Sequence, residues 1–132
     1  TKGEIKMKAL QLKEQLRIPV IGSPMFIVST PKLVIEQCKA GIVGSMPALN
    51  ARPSSQLDEW LAEITETLDA YNKQNPERPA APFAINQIVH RSNERLEEDM
   101  YIKQHMNTVG LYFMMSLTIS SLKKRLKKER MA

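Results

Sequence analysis

The chain has a single cysteine, no long apolar segment and no leader-like amino terminus, and each of these shortages excludes a class of protein. Cys38 has no partner for an internal disulfide, and its place on the apolar side of a short helix predicts a buried, reduced thiol. The longest apolar run, residues 109–119, is well short of the ~20 residues that cross a bilayer. Charged residues interrupt the amino terminus, so no signal peptide is visible. We expect a cytoplasmic protein with no membrane partner.

Most of the chain also has no excess of positive or negative charge. The formal net charge is +5, but six basic residues lie among the last eleven positions, opposed only by Glu129. Taking these six from the 19 basic residues, and Glu129 from the 14 acidic ones, leaves 13 of each. Few aromatic residues accompany the basic ones, and no groove-reading motif is present. The charge therefore predicts a solvated tail and no nucleic-acid partner.

Metal ligands and catalytic motifs are scarce as well. The two histidines, His90 and His105, stand fifteen residues apart without a nearby cysteine or paired carboxylates, so we expect no metal site. No nucleophile motif and no Walker-type phosphate loop is found. His105 is expected to be an ordinary surface histidine.

A repeated strand–loop pattern is what the sequence does contain. Three times, a short apolar run of β type ends in an unusual loop, and the first run passes through Gly-Ser-Pro-Met to a helix that begins at Thr30-Pro31. The runs with their loops are 18–25, 42–50 and 83–90. Alternation of strands and helices predicts a parallel sheet, and loops at the carboxyl ends of parallel strands are where ligands are held.

Helical spacing of apolar residues places the predicted helices. A short helix over residues 4–16 precedes the first strand, and Gly41 ends the helix that starts at Pro31. A continuous apolar stripe predicts the longest helix from about Ser55 to Asn75. Ser92 or Asn93 caps a third helix. Residues 109–115 suit either a fourth strand or an apolar helix, and the basic end suits a solvated helix.

Three segments together resemble the nitronate monooxygenase family, formerly called 2-nitropropane dioxygenases. They are LRIPVIGSPMFIVS (16–29), AGIVGSMPALNAR (40–52) and APFAINQIVHRSNERL (81–96). The resemblance covers residues 16–100 and implies a flavoprotein with FMN as cofactor, in which a TIM barrel oxidises alkyl nitronates with molecular oxygen. We therefore expect a partial (β/α) TIM-type barrel of three βα units, with an extra amino-terminal helix and a divergent basic carboxyl-terminal helix. Residues 1–100 would form the barrel part and residues 101–132 a divergent tail.

The differences between this chain and the family determine the activity that we expect. Family members are more than twice as long, and their Gly-rich phosphate loops and catalytic histidine belong to later strands that these 132 residues do not contain. We expect an incomplete copy that is inactive alone, whose open sheet edge a homo-oligomer could cover. The alternatives are a non-catalytic fragment or pseudoenzyme, and another FMN barrel such as an enoyl reductase relative. The expected partners are a nitronate and oxygen.

The resemblance also indicates which residues would contact the flavin. It identifies no catalytic residue in this chain. The expected flavin contacts are Pro24, Met25, Asn50, Asn86, Gln87 and His90. Without the resemblance, Pro24 and Met25 would be read as a strand-to-helix turn with a core methionine, and Asn50 as a turn residue. Asn86 and Gln87 are harder to dismiss, because burying two amides requires hydrogen-bond partners. Arg52 suits either an anion partner or a structural role in the loop before the next helix.

Overall fold

The computed structural model describes residues 10–90, 92–105 and 111–115, with residues 103–105 and 111–115 described as backbone only. Residues 10–14 are helical. The elements that follow are helix α1 (Pro31–Ala40), strand β1 (Gly44–Pro47), a 3-10 turn (Ala48–Asn50), helix α2 (Ser55–Gln74), strand β2 (Phe83–Ile88), helix α3 (Leu96–His105) and strand β3 (Leu111–Met115). This mixture of helices and parallel strands confirms the α/β prediction.

The sheet is parallel, and its strands lie in the order β1-β2-β3, which is their order along the chain. Pro47 of β1 stands beside Asn86 of β2. The predicted first strand, residues 18–21, forms only an isolated bridge between Ile21 and Val43. Pro19 has no N–H to donate, so a longer ladder would be interrupted there. The described residues thus form a three-stranded sheet extended by one bridge, and a closed barrel is not shown.

Helix α2 agrees with its predicted range to within one residue at its carboxyl end. Its buried face consists of Leu57, Leu61, Ile64 and Leu68, spaced by four, three and four residues. Helix α1 begins with Pro31 at its tolerated first position and ends at Gly41, whose φ of 92° is left-handed as predicted.

The hydrophobic core lies between the sheet and one layer of helices. Helix α1 contacts both α2 and the sheet, and buried residues of both helices form one cluster with Met46, Phe83 and Ile85 of the strands, so both helices cover the same face. The fully buried members of this core include Val34, Met46, Leu57, Leu61, Ile64 and Ile85. Successive crossovers on one face with strands in chain order are the arrangement that a singly wound βα fold requires.

The chain after residue 100 contributes to the same sheet. Helix α3 runs from Leu96 to His105, and β3 then pairs with β2 in parallel. Of the two alternatives for residues 109–115, a strand is found at Leu111–Met115, and residues 109–110 lie outside the described residues. The predicted basic tail helix, residues 1–9 and the side chain of His105 lie outside the described residues. Within the part of the chain that is described, no helix is both long and apolar enough to cross a bilayer.

Cys38 is a free, fully buried thiol on α1, which confirms its prediction. Its Sγ lies 3.6 Å from the carbonyl oxygen of Pro82, the residue immediately before β2. Burial raises the pKa of the thiol from 9.0 to about 11, against a smaller opposite effect of a backbone hydrogen bond at Gly44. At neutral pH the thiol is therefore protonated and shielded from reagents.

The free energy of unfolding is expected to fall as the pH rises from 9 to about 11. In this window the unfolded chain releases the Cys38 proton while the folded chain retains it. The loss approaches about 1.4 kcal/mol per pH unit. Urea titrations across this range, compared between the native chain and Cys38→Ala, isolate the effect from other groups. Equal pH slopes in the two proteins would contradict it.

Candidate functional site

The carboxyl-terminal edge of the sheet collects most of the residues that the sequence singled out. The segment 20–22 leads into Pro24 and Met25, β1 leads into the 3-10 turn that ends at Asn50, and β2 carries Asn86 and Gln87. Pro24 is half-buried, whereas Met25 is 41% exposed. The alternative reading of Met25 as a core residue is therefore wrong.

Residues Met25–Ser29 form a closed loop, here called the apolar loop. The Met25 N–H donates to Ser29 Oγ at 2.8 Å, and the Ser29 N–H donates back to the Met25 carbonyl oxygen at 3.1 Å. Three consecutive apolar residues, Phe26, Ile27 and Val28, are 59%, 72% and 59% exposed. Ile27 has a φ of 66°, a left-handed conformation that β-branched residues rarely adopt. The Val28 N–H donates to the Phe26 carbonyl oxygen at 2.7 Å, which closes a three-residue turn around Ile27.

Asn50 restrains the apolar loop from outside it. Its Nδ2 donates to the carbonyl oxygens of Met25 and Ser29, each at 2.9 Å. Its Oδ1 accepts the N–H of the left-handed Ile27 at 3.0 Å. Both amide hydrogens are therefore used inside the protein, and only a second lone pair of Oδ1 is left for a ligand. The flavin contact of Asn50 stays a prediction, restricted to that one acceptor position.

Replacing Asn50 by leucine is expected to accelerate hydrogen exchange at the Ile27 amide roughly tenfold, because that N–H loses its acceptor. Asn75→Leu is the matched control, since Asn75 also donates to a main-chain oxygen, that of Tyr71, but far along the chain from the loop. Unchanged exchange at Ile27 in Asn50→Leu would contradict the restraint.

Asn86 and Gln87 point to opposite faces of the sheet, because successive side chains of a strand alternate. Gln87 shares the face of the core residues Phe83 and Ile85 and is 1% exposed. Asn86 lies on the other face, and its Oδ1 is buried without a hydrogen-bond partner among the described residues. A buried acceptor of this kind suits a ligand N–H.

His90 is exposed beyond the end of β2. Its Nδ1 lies 2.8 Å from Ser92 Oγ and accepts the Ser92 N–H at 3.2 Å. His90 lines a cleft of about 470 Å³ together with Val89, Asn93, Glu94, Leu96 and Glu97. This cleft shares no lining residue with a smaller cleft that is lined by Phe26, Ile27, Asn50 and Arg52, so His90 and Asn50 belong to separate clefts.

Sequence reasoning missed a buried ion pair near the same edge. Arg95 donates from Nη2 to Asp99 Oδ1 at 2.9 Å, and its Nη1 donates to the carbonyl oxygen of Ala51, just after the 3-10 turn. Asp99 is fully buried. The four-residue spacing of Arg95 and Asp99 is a sequence pattern that indicates an ion pair on a helix. No sequence pattern indicates the contact between Arg95 and Ala51. The pair ties the start of α3 to the turn that carries Asn50.

Comparison of the chain with protein-family models, with curated proteins and with solved structures gave no match. The class of protein that the structure defines is an α/β domain with a parallel sheet and a loop-rich carboxyl-terminal edge. The side chains at that edge are therefore the features that bear on function.

Proposed function

We propose that this chain contributes the flavin-ring contacts of an FMN-dependent oxidoreductase that oxidises alkyl nitronates with molecular oxygen, in the manner of a nitronate monooxygenase. The proposal includes a partial TIM-type barrel as its scaffold and a cytoplasmic location. The observation that carries it is the gathering of the apolar loop, Asn50 and Asn86 at the carboxyl-terminal edge of a parallel sheet whose strands lie in chain order. Ligands of parallel α/β folds bind at this edge.

The side chains at this edge suit the ring system of FMN. Asn86 Oδ1 is a buried acceptor without a partner among the described residues, and the edge of an isoalloxazine ring offers an N–H. Met25 is an exposed, polarizable thioether at the loop that follows the first strand segment, suited to the face of an aromatic ring. FMN would supply the redox chemistry, while these residues would bind and orient its ring. We assign no residue to the phosphate.

FMN is therefore expected to bind weakly, with a dissociation constant in the millimolar range, corresponding to about −4 kcal/mol. NMR titration of the chain with FMN follows binding at the Met25 methyl group and the Asn86 side-chain amide. Asn86→Leu should weaken binding about tenfold, because the ring loses its acceptor. Asn75→Leu, at the carboxyl end of α2, is the control and should bind FMN like the native chain.

Inorganic phosphate, titrated in parallel, reports whether binding comes from the phosphate group. Shifts at Met25 with FMN and none with phosphate support the ring contacts. No shift with FMN, or equal affinity of the native chain and Asn86→Leu, would contradict the proposal and favour the non-catalytic alternative. The chain alone is expected to be inactive, and oxygen uptake with propionate 3-nitronate in the FMN-loaded chain would overturn that expectation. Consumption of an enoyl thioester instead would favour an enoyl reductase relative.

A further inference from the structure

A small cleft opens between the apolar loop and the segment that follows Asn50. Phe26, Ile27, Asn50 and Arg52 line it, and its volume is about 190 Å³. At about 30 Å³ for each water molecule in the liquid, this space holds a ligand of about six non-hydrogen atoms. Two of its walls are apolar side chains that the exposed loop would otherwise leave in water. The cleft is therefore suited to a short, branched apolar group.

Arg52 provides a charged wall of this cleft, and both its backbone and its side chain are held by neighbouring residues. The backbone N–H of Arg52 donates to Gln56 Oε1 at 2.9 Å, and the side-chain Nε donates to the carbonyl oxygen of Leu49 at 3.2 Å. The guanidinium lies over the ring of Phe26, 5.4 Å from its centroid. No ion pair joins Arg52 to a carboxylate of the described residues. Its two terminal nitrogens therefore form a positioned, uncompensated fork.

We propose that this cleft binds a small organic anion with a planar two-oxygen head, the oxygens on the Arg52 fork and the alkyl group against Phe26 and Ile27. A guanidinium matches such a head with two parallel hydrogen bonds. Carboxylates and alkyl nitronates share this planar geometry and charge. Asn50 acts on the same cleft as a positioning residue, because it holds Ile27 in place. The anion site is argued from the cleft alone, and its assignment to a nitronate substrate rests on the proposed function.

Isobutyrate and its neutral isostere isobutyramide are the probes, titrated at low ionic strength and followed by the NMR shifts of Phe26 and Ile27. We expect isobutyrate to bind in the millimolar range and isobutyramide at least about tenfold more weakly, since the amide lacks the charge. Arg52→Gln should weaken isobutyrate binding about tenfold to a hundredfold. Arg78→Gln is the matched control: Arg78 is an exposed arginine in the loop between α2 and β2, away from the cleft. It should leave binding unchanged.

Equal binding of the acid and the amide, or equal loss in Arg52→Gln and Arg78→Gln, would overturn the anion site. Asn50→Leu gives a second measurement, since it should weaken isobutyrate binding while Arg52 stays intact; unchanged affinity would overturn the positioning role. A third arm uses propane-2-nitronate. Binding of isobutyrate but not of the nitronate supports the site and contradicts the proposed function. FMN binding without Arg52-dependent anion binding supports the proposed function and contradicts the anion site.

Discussion

Replacing Arg95 by methionine is expected to lower the free energy of unfolding by about 3 kcal/mol, because it leaves the Asp99 carboxylate buried without its cation. Asp99 is fully buried, and Arg95 Nη2 lies 2.9 Å from Asp99 Oδ1. Asp99 Oδ2 has no hydrogen-bond partner among the described residues, so no second donor compensates for the loss. Urea unfolding should show a lower midpoint with an unchanged m-value. The contact of Arg95 with the Ala51 carbonyl is lost at the same time.

Two further variants separate the buried charge from the simple loss of packing. The double variant Arg95→Met with Asp99→Leu should recover most of the stability, because an apolar pair replaces the ion pair without leaving a charge behind. Lys39→Met is the matched control: Lys39 pairs with the exposed Glu36 at 3.2 Å, and its removal should change stability by no more than about 0.5 kcal/mol. If the double variant is as unstable as Arg95→Met, the buried-charge explanation is wrong.

Replacing Gly44 by alanine is expected to cost about 3 kcal/mol of stability, since β1 and α1 are in direct backbone contact at this position. A Cβ on Gly44 would lie 2.4 Å from the Val34 carbonyl oxygen and 2.9 Å from Cys38 Sγ. The first of these atoms belongs to the backbone of α1 and cannot move by a rotamer change. The helix would have to shift away from the sheet, which opens the core between them.

Gly22→Ala is the control for this substitution. A Cβ there would approach only the side-chain amide of Gln37, at 2.5 Å, and a flexible side chain rotates away at a cost of about 1 kcal/mol. Adding Cys38→Ala to Gly44→Ala should not restore stability, because the backbone contact with Val34 remains. Equal effects of Gly44→Ala and Gly22→Ala in denaturant titrations would show that α1 does not approach β1 as closely as described.

Local signals account for the elements that the sequence located well. The stripe from Leu57 to Leu68 repeats at helical spacing within one segment, and α2 follows it closely. Gly41 ends α1 because a residue without Cβ adopts the left-handed conformation at little cost. The first strand was less predictable: residues 18–21 have strand composition, but their pairing depends on Val43, over twenty residues away. Composition determines whether a segment can pair, and tertiary contacts determine how far it does.

The candidate site shows the same division. Asn50 was selected from the sequence as an amide at a strand end, but its hydrogen bonds to Met25, Ile27 and Ser29 span more than twenty residues and leave no pattern in the chain. Asn86 was selected for the same reason, and its buried acceptor depends on which face of β2 it occupies.

By itself, the sequence determined the alternation of strands and helices, the bounds of α2 and the buried thiol, because periodicity, capping and composition act over a few residues. Only the tertiary structure decided three other features. It brought Arg52 onto the ring of Phe26, tied Arg95 to Ala51, and placed Gly44 against the backbone of Val34. Each of these contacts joins segments that are distant along the chain or belong to different elements. Their geometry is set by how α1, α3 and the loops pack on the sheet, which no local pattern encodes.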